Sequence, residues 1–316
     1  MKRILITGAH GFIGKHLAHE LAAKGHAVCG LGHGTWPESG AARWGVSRWM
    51  NSDITLNALR LLQRDFGTPD VVFHLAGGSS VGAAVANPRE DFFRTVTSTV
   101  ELLEWLRLDA PACALVVISS AAVYGAGHEG LIDEAASLTP FSPYGYHKML
   151  MEELCRSYAA SYGQTVAVAR LFSVYGPGLQ KQLLWDLCSK LADGADAVQL
   201  GGTGEELRDW TSVRDVARAL DHLMEAPAVN VPVYNLGTAL ATPVREIARR
   251  VITQWVRGGG QDASVSFSGR SRSGDPFSLV ADGAKLTATG FKWQIDLEQG
   301  LAEYVDWYRS QTEARS

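Results

Sequence analysis

Arg3-Ile4-Leu5-Ile6-Thr7-Gly8-Ala9-His10-Gly11-Phe12-Ile13-Gly14 carries an apolar run straight into glycines spaced GxxGxxG. Residues 3–7 read as a buried strand, and Phe12, Ile13, Leu17 and Leu21 recur at helical spacing over 12–24. Glycines at this junction allow a tight turn, close approach of bare backbone to a ligand, and close packing of helix on strand. The helix start presents unpaired N–H groups, which suit phosphate oxygens. Gly8, Gly11, Phe12, Ile13 and Gly14 are therefore predicted to hold a dinucleotide pyrophosphate.

Outward from this turn, apolar runs without alternation fall at 27–31, 70–75, 113–119 and 165–171. Helical patterns lie at about 55–66, 88–108 and 143–162. Strand–helix alternation with continuous apolar strands predicts an α/β fold, a Rossmann-type doubly wound parallel sheet covered on both faces. After about residue 175 glycine and proline become frequent, and helical patterns fall at about 180–193, 213–225, 242–257 and 296–309. The expected division is a dinucleotide-binding domain at 1–175 and a smaller C-terminal substrate lobe at 176–316, with some segments returning to the sheet. The Gly/Ser-rich stretch 257–275 reads as a linker or a ligand loop.

The 316 residues are 46% hydrophobic, enough for a sizeable core. A formal net charge of −4 argues against a general nucleic-acid binder. No apolar run reaches the length of a membrane span, and the N-terminal apolar stretch is too short for a signal peptide, so a cytoplasmic address is expected. Cys29, Cys113, Cys155 and Cys188 form no CxxC pair, so they are expected to be buried reduced thiols and no metal site is expected.

The second strand ends Cys29-Gly30-Leu31-Gly32-His33-Gly34, with no acid before Glu38. A carboxylate there would repel a 2′-phosphate, so its absence tilts the reading toward NADP over NAD. His33, Arg43 and Arg48 are the nearby candidates for phosphate contact. Asp53, followed by Ile54, sits by the adenine or caps the next helix; both readings stay open.

Tyr144-Gly145-Tyr146-His147-Lys148 puts a phenol and an ammonium on one helix face. The ammonium favours the phenolate and so suits the tyrosine to proton transfer. Upstream, Ile118-Ser119-Ser120-Ala121-Ala122-Val123-Tyr124-Gly125 places hydroxyls at the tip of a buried strand, where one can hydrogen-bond a reacting oxygen.

Together with the glycine turn, these segments resemble the extended short-chain dehydrogenase/reductase family, which includes nucleotide-sugar 4-epimerases, 4,6-dehydratases and 4-keto-sugar reductases. His74-Leu75-Ala76-Gly77, Arg170-Leu171-Phe172-Ser173-Val174-Tyr175-Gly176-Pro177, Arg208-Asp209-Trp210-Thr211-Ser212-Val213-Arg214-Asp215-Val216 and Arg272-Ser273-Gly274-Asp275-Pro276 resemble further family segments, in order along the chain. The resemblance implies Ser120, Tyr144 and Lys148 as the catalytic set. It implies Leu75, Ala76, Gly77 and Ser119 along the cofactor, with Tyr144 and Lys148 also touching it. It implies Ser79, Ser120 and Ser173 at the substrate, with Arg208 and Arg272 on a diphosphate, for which guanidinium groups are suited.

Departures narrow the chemistry. The family's dehydratases carry an Asp-Glu pair just after the hydroxyl, where this chain has Ala121-Ala122. The bifunctional 3,5-epimerase/4-reductases use a Cys and a His where this chain has Ala122 and Gly178-Leu179-Gln180. Plain redox at C4 of a nucleotide sugar remains. NADPH-dependent reduction of a 4-keto sugar is the leading expectation, NAD-dependent 4-epimerisation the alternative, and a non-catalytic dinucleotide-binding protein the remote one. Two family asparagines fall on Thr95 and Ser173, so the sugar pocket is expected to differ from that of a generic UDP-galactose epimerase. Trp185 reads as core and Lys181 as a solvated charge. Val96, Val100, Leu103, Trp105, Leu150, Leu154, Tyr158 and Tyr162 lie on helices that pair between subunits in the family, which implies a homodimer.

Overall fold

Each of the apolar runs becomes a strand in one parallel sheet. The computed structural model describes residues 1–270 and 276–313. The strands are β1 (Arg3–Thr7), β2 (Ala27–Gly32), β3 (Val46–Asn51), β4 (Val71–His74), β5 (Ala114–Ser120) and β6 (Val166–Leu171), with Val233–Leu236 as the last. The order across the sheet is Val233–Leu236, β6, β5, β4, β1, β2, β3, every neighbour parallel. The chain direction across the sheet reverses between β1 and β4, and such a reversal opens a crevice at the carboxyl ends of the strands.

Helices α1 (Phe12–Ala23), α2 (Glu38–Arg43), α3 (Leu56–Phe66), α4 (Val81–Ala86), α5 (Pro88–Phe92), α6 (Ser98–Asp109) and α7 (Pro143–Tyr162) belong to the same unit. Leu5, Val72, Leu115 and Val117 from the sheet are buried in one core with Trp105 of α6 and Met151 and Cys155 of α7. Burying side chains of this size contributes roughly 1.5–3 kcal/mol each. The start of α7 is specified locally. The Ser142 hydroxyl accepts from the Gly145 N–H at 3.2 Å, and Pro143 occupies the first turn, where its missing N–H costs nothing.

The chain divides into two units. The first comprises Met1–Gly125, Glu134–Leu171 and Val216–Leu236; the second comprises Ala126–Asp133, Phe172–Asp215 and Gly237–Ser316. Within the second, Leu207–Ser212 pairs with Ala241–Pro243, Ser278–Leu279 and Ser173–Tyr175. Trp185 packs against Trp307 and Tyr308, with ring centroids 6.1 and 5.0 Å apart, as a core residue does. Lys181 is half-buried rather than fully solvated, and burial lowers its pKa.

Several expectations are corrected. Residues 264–267 form a strand parallel to Ala197–Leu200, so this part of the Gly/Ser-rich stretch is not a linker. Residues 88–108 are not one helix: Phe93–Thr97 is a π-helical turn between α5 and α6. Val96 is buried, Leu103 and Trp105 are buried in the unit's own core, and Leu154 and Tyr158 pack against it, so five of the eight residues assigned to a subunit interface face inward. Among the described residues, no helix is long and apolar enough to cross a membrane, and no His/Cys/Asp/Glu group could hold a metal ion. All four cysteines are buried, which pushes their thiols up, Cys113, Cys155 and Cys188 to about 12.

Candidate active site

The glycine turn is built as a cradle. Gly8 sits at φ +75°, and a Cβ there would lie 3.0 Å from the Ala76 nitrogen. Its N–H donates to the Leu31 carbonyl at 2.7 Å. A Cβ on Gly14 would lie 2.3 Å from the Gly8 carbonyl oxygen, so only glycine lets α1 come this close to β1. Gly11 begins α1 with no side-chain cap, and the first turn, opening with Phe12 and Ile13, holds no acid. The N-terminal N–H groups of α1 are thus left for an outside acceptor. Across the turn, the His10 ring packs on Trp36 and Trp49 at 4.8 and 5.8 Å, and the Trp49 indole donates to the Gly34 carbonyl at 3.2 Å. The loop after β2 is therefore held by aromatic packing.

β2 and β3 pair Gly32 with Asn51. That register brings Asp53 to the end of β2, where its Oδ1 lies 3.0 Å from His33 Nε2. Ile54 is buried in the core. Arg48 faces α3 and pairs with Asp65 at 2.7 Å.

The tip of β4 carries a buried polar chain. His74 Nδ1 lies 2.7 Å from Thr7 Oγ1, and Nε2 lies 3.0 Å from Thr99 Oγ1. Burial first, then Lys148, lowers His74 to about 3, so the ring is neutral. Leu75, Ala76 and Gly77 follow, then exposed Ser79. The π-helical turn aims Thr95 at this loop: its hydroxyl accepts from the Gly78 N–H at 2.8 Å.

The hydroxyl, phenol and amine meet at the end of β5. A Cβ on Gly145 would lie 2.5 Å from the Ala122 carbonyl, so the start of α7 rests on the 3₁₀ turn Ala121–Val123. Burial raises the Tyr144 pKa; the hydrogen bond with Ser120 opposes this by favouring the phenolate, and Asp91 adds a smaller push upward. The Lys148 ammonium is buried and donates to the Ile118 carbonyl at 2.9 Å. Burial lowers it to about 8, while Asp91 and Glu152 resist the loss of its proton.

Two supports of this set were not read from the sequence. Glu152, one turn beyond Lys148, takes a bidentate contact from Arg170 at 2.9 and 2.7 Å, with both side chains buried. Burial opposes the Glu152 charge, but Arg170 overcomes it and holds the carboxyl below its ordinary value. Arg170 also reaches the Tyr124 hydroxyl at 2.9 Å, which donates to Asn235 at 2.6 Å. The i,i+4 step from Lys148 was a local sign of Glu152. Asp91, by contrast, carries no local sign.

The family model for the NAD dependent epimerase/dehydratase family matches residues 4–237. The chain belongs to this family. It is a Rossmann-fold enzyme of the short-chain dehydrogenase/reductase type. A putative UDP-glucose 4-epimerase of Methanocaldococcus jannaschii is 29% identical over 97% of this chain and 98% of its own. The structure of MoeE5 in complex with UDP-glucuronic acid and NAD has a TM-score of 0.83 and 31% identity, covering 98% of this chain and 99% of its own. DesIV, a dTDP-glucose 4,6-dehydratase from Streptomyces venezuelae with NAD bound, has a TM-score of 0.87 and 27% identity, covering 99% and 98%. The epimerase relative and the two NAD-bound structures support the alternative expectation, NAD-dependent 4-epimerisation, better than the NADPH-dependent reduction expected first.

The residues fit the family's dinucleotide: a Cβ would fill the cradle at Gly8 and Gly14, and the start of α1 is uncapped. In the second unit, Ser173 lies on a strand paired with Trp210. Arg208 is half-buried and donates to the Leu207 and Phe277 carbonyls at 2.8 and 3.2 Å. Arg272 lies outside the described residues.

Proposed function

We propose that this enzyme is a UDP-sugar 4-epimerase that works with bound NAD. The observation that carries the reading is the Ser120–Tyr144–Lys148 set with Ala121 and Ala122 beside it. The site has the groups for moving a proton at C4 and lacks the acid pair for eliminating water. The names and ligands of the relatives add UDP-glucose and UDP-glucuronic acid as the substrate class.

NAD, when bound, supplies the hydride acceptor and then the hydride donor at C4. Gly8, Gly11, Phe12, Ile13 and Gly14 are assigned to its pyrophosphate. His33 and Asp53 are assigned to the adenosine end, and Leu75, Ala76, Gly77, Ser119 and Lys148 to the nicotinamide half. Tyr144 takes the proton of the C4 hydroxyl and returns it after the ring has turned. Ser120 hydrogen-bonds the C4 oxygen, and the Lys148 ammonium favours the phenolate. Ser79 and Ser173 are assigned to the sugar, and Arg208 and Arg272 to the diphosphate. Exposed Phe93, Val100, Leu150 and Tyr162 on the π-helical turn, α6 and α7 support a homodimer.

The test incubates the purified enzyme, without added cofactor, with UDP-glucose or UDP-glucuronic acid and reads the C4 epimer by chromatography. Epimer with no net loss of NAD is expected. Stoichiometric consumption of NADPH with a 4-keto sugar nucleotide, and no epimer from either UDP sugar, would replace this reading by reduction.

A further inference from the structure

Asp91 is a buried acid that the mechanism above does not use. It lies on α5, 6% exposed, and three features fix it. His147 Nδ1 of α7 lies 2.5 Å from Oδ2. The Phe92 ring meets the His147 ring edge-on at 5.4 Å. Oδ1 fills the space that a side chain on Gly78 would take, 1.7 Å from an ideal Cβ there. The neighbouring Gly77 backs onto Lys148, whose Nζ would lie 3.3 Å from a Cβ on Gly77. One carboxylate thus touches both the loop after β4 and the catalytic helix. Its position on α7 is chosen by His147, which stands directly before Lys148.

We propose that Asp91, pinned by His147, is a positioning residue for the Tyr144–Lys148 pair: a buried carboxylate on α5, tied to the loop after β4 and to the catalytic helix, that sets the charge environment of both. The inference rests on the roles proposed for those two residues. The charged and titratable groups around them can be named element by element. α5 contributes Asp91; α7 contributes His147 and Glu152; β4 contributes His74. Glu152 is already engaged by Arg170 and Arg156, and His74 is neutral. Asp91 is therefore the acid best placed to act on both members. Of the charged groups, it is the one that raises Tyr144 and the first that raises Lys148. Charge at this depth acts strongly because little water screens it.

The effect has a signature that packing alone lacks. Removing the charge should move both limbs of the pH profile to lower pH. The phenolate forms more readily, and the ammonium is lost earlier. A purely structural defect lowers the height of the profile and leaves its limbs in place.

The experiment titrates Tyr144 by ultraviolet tyrosinate absorbance, taking each protein minus its Tyr144→Phe counterpart, and records kcat/KM against pH for epimerisation. Asp91→Asn is expected to shift the Tyr144 titration and both limbs downward. His147→Gln keeps the carboxylate and is expected to shift neither downward. An unmoved titration in Asp91→Asn, or an equal downward shift in His147→Gln, overturns the proposal. Should Asp91→Asn fail to fold by circular dichroism, Asp91→Ser removes the same charge and must show the same shift, its absence being equally decisive. A downward titration shift in an enzyme that epimerises no UDP sugar would keep the positioning role and sink the functional reading instead.

Discussion

Replacing Glu152 by Gln should cost stability and move the pH profile at the same time. Two parallel hydrogen bonds from Arg170, at 2.9 and 2.7 Å, join side chains 2% and 0% exposed. An uncompensated half of such a buried pair costs about 3–5 kcal/mol, against about 0–1 kcal/mol for an exposed pair. At about 2–4 °C per kcal/mol, the melting temperature should fall by roughly 6–20 °C. Arg156, which also meets Glu152 at 3.1 Å, loses the same partner and, being a cation, gives Arg170 no replacement. Glu152→Gln also removes a charge that keeps Lys148 protonated, so the alkaline limb of kcat/KM should fall below about 8. Arg170→Lys retains the cation but not the planar fork; it should lose stability while leaving the limb in place. Thermal unfolding and a pH–rate profile of the same preparations measure both. A loss under about 1 kcal/mol in Glu152→Gln, or an unmoved limb, would refute the assignment of Glu152 as the anchor of α7.

Three other outcomes follow from the site. Tyr144→Phe should abolish epimerisation while NAD stays bound, read by acid release of the nucleotide; retained turnover would remove the phenol from the mechanism. Gly14→Ala should weaken NAD binding and lower the melting temperature, because its Cβ would lie 2.3 Å from the Gly8 carbonyl, backbone that cannot yield. His74, lowered from 6.5 to about 3, stays neutral in the fold where the unfolded chain takes up a proton. Its contribution is therefore complete above pH 6.5 and declines toward about 3, by about 1.4 kcal/mol per pH unit. His74→Gln should flatten that part of the urea-unfolding stability profile.

Strands β1, β2, β4, β5 and β6 were legible because a strand buried on both faces has nothing to alternate with, and continuous apolar runs betray it. β3 was not, because an edge strand reading Val46-Ser47-Arg48-Trp49-Met50-Asn51 is exposed along much of its length. Val233–Leu236 reads as an ordinary short apolar segment; only its pairing with β6 makes it a sheet strand. The i,i+4 relation of Tyr144 to Lys148 is local, so the sequence placed both on one face. Contacts that join distant segments leave no such trace. Asp91 meets His147 across 56 residues, and Tyr124 meets Asn235 across 111. The π-helical turn that aims Thr95 at Gly78 is likewise invisible to a helical period, which runs through 88–108 without a break.

The preference for NADPH rested on a count along one strand, and the sheet undoes that count. No acid stands at the end of β2, but strand pairing does not respect chain order. Because Gly32 lies opposite Asn51, the residues after β3 arrive at the tip of β2, and Asp53 comes within 3.0 Å of His33. A carboxylate therefore stands near the end of β2, delivered from beyond β3 rather than by Cys29-Gly30-Leu31-Gly32-His33-Gly34 itself. His33, taken from the sequence as a partner for phosphate, is already paired with that acid. That placement is consistent with the NAD of the proposed function, which the NAD-bound relatives support.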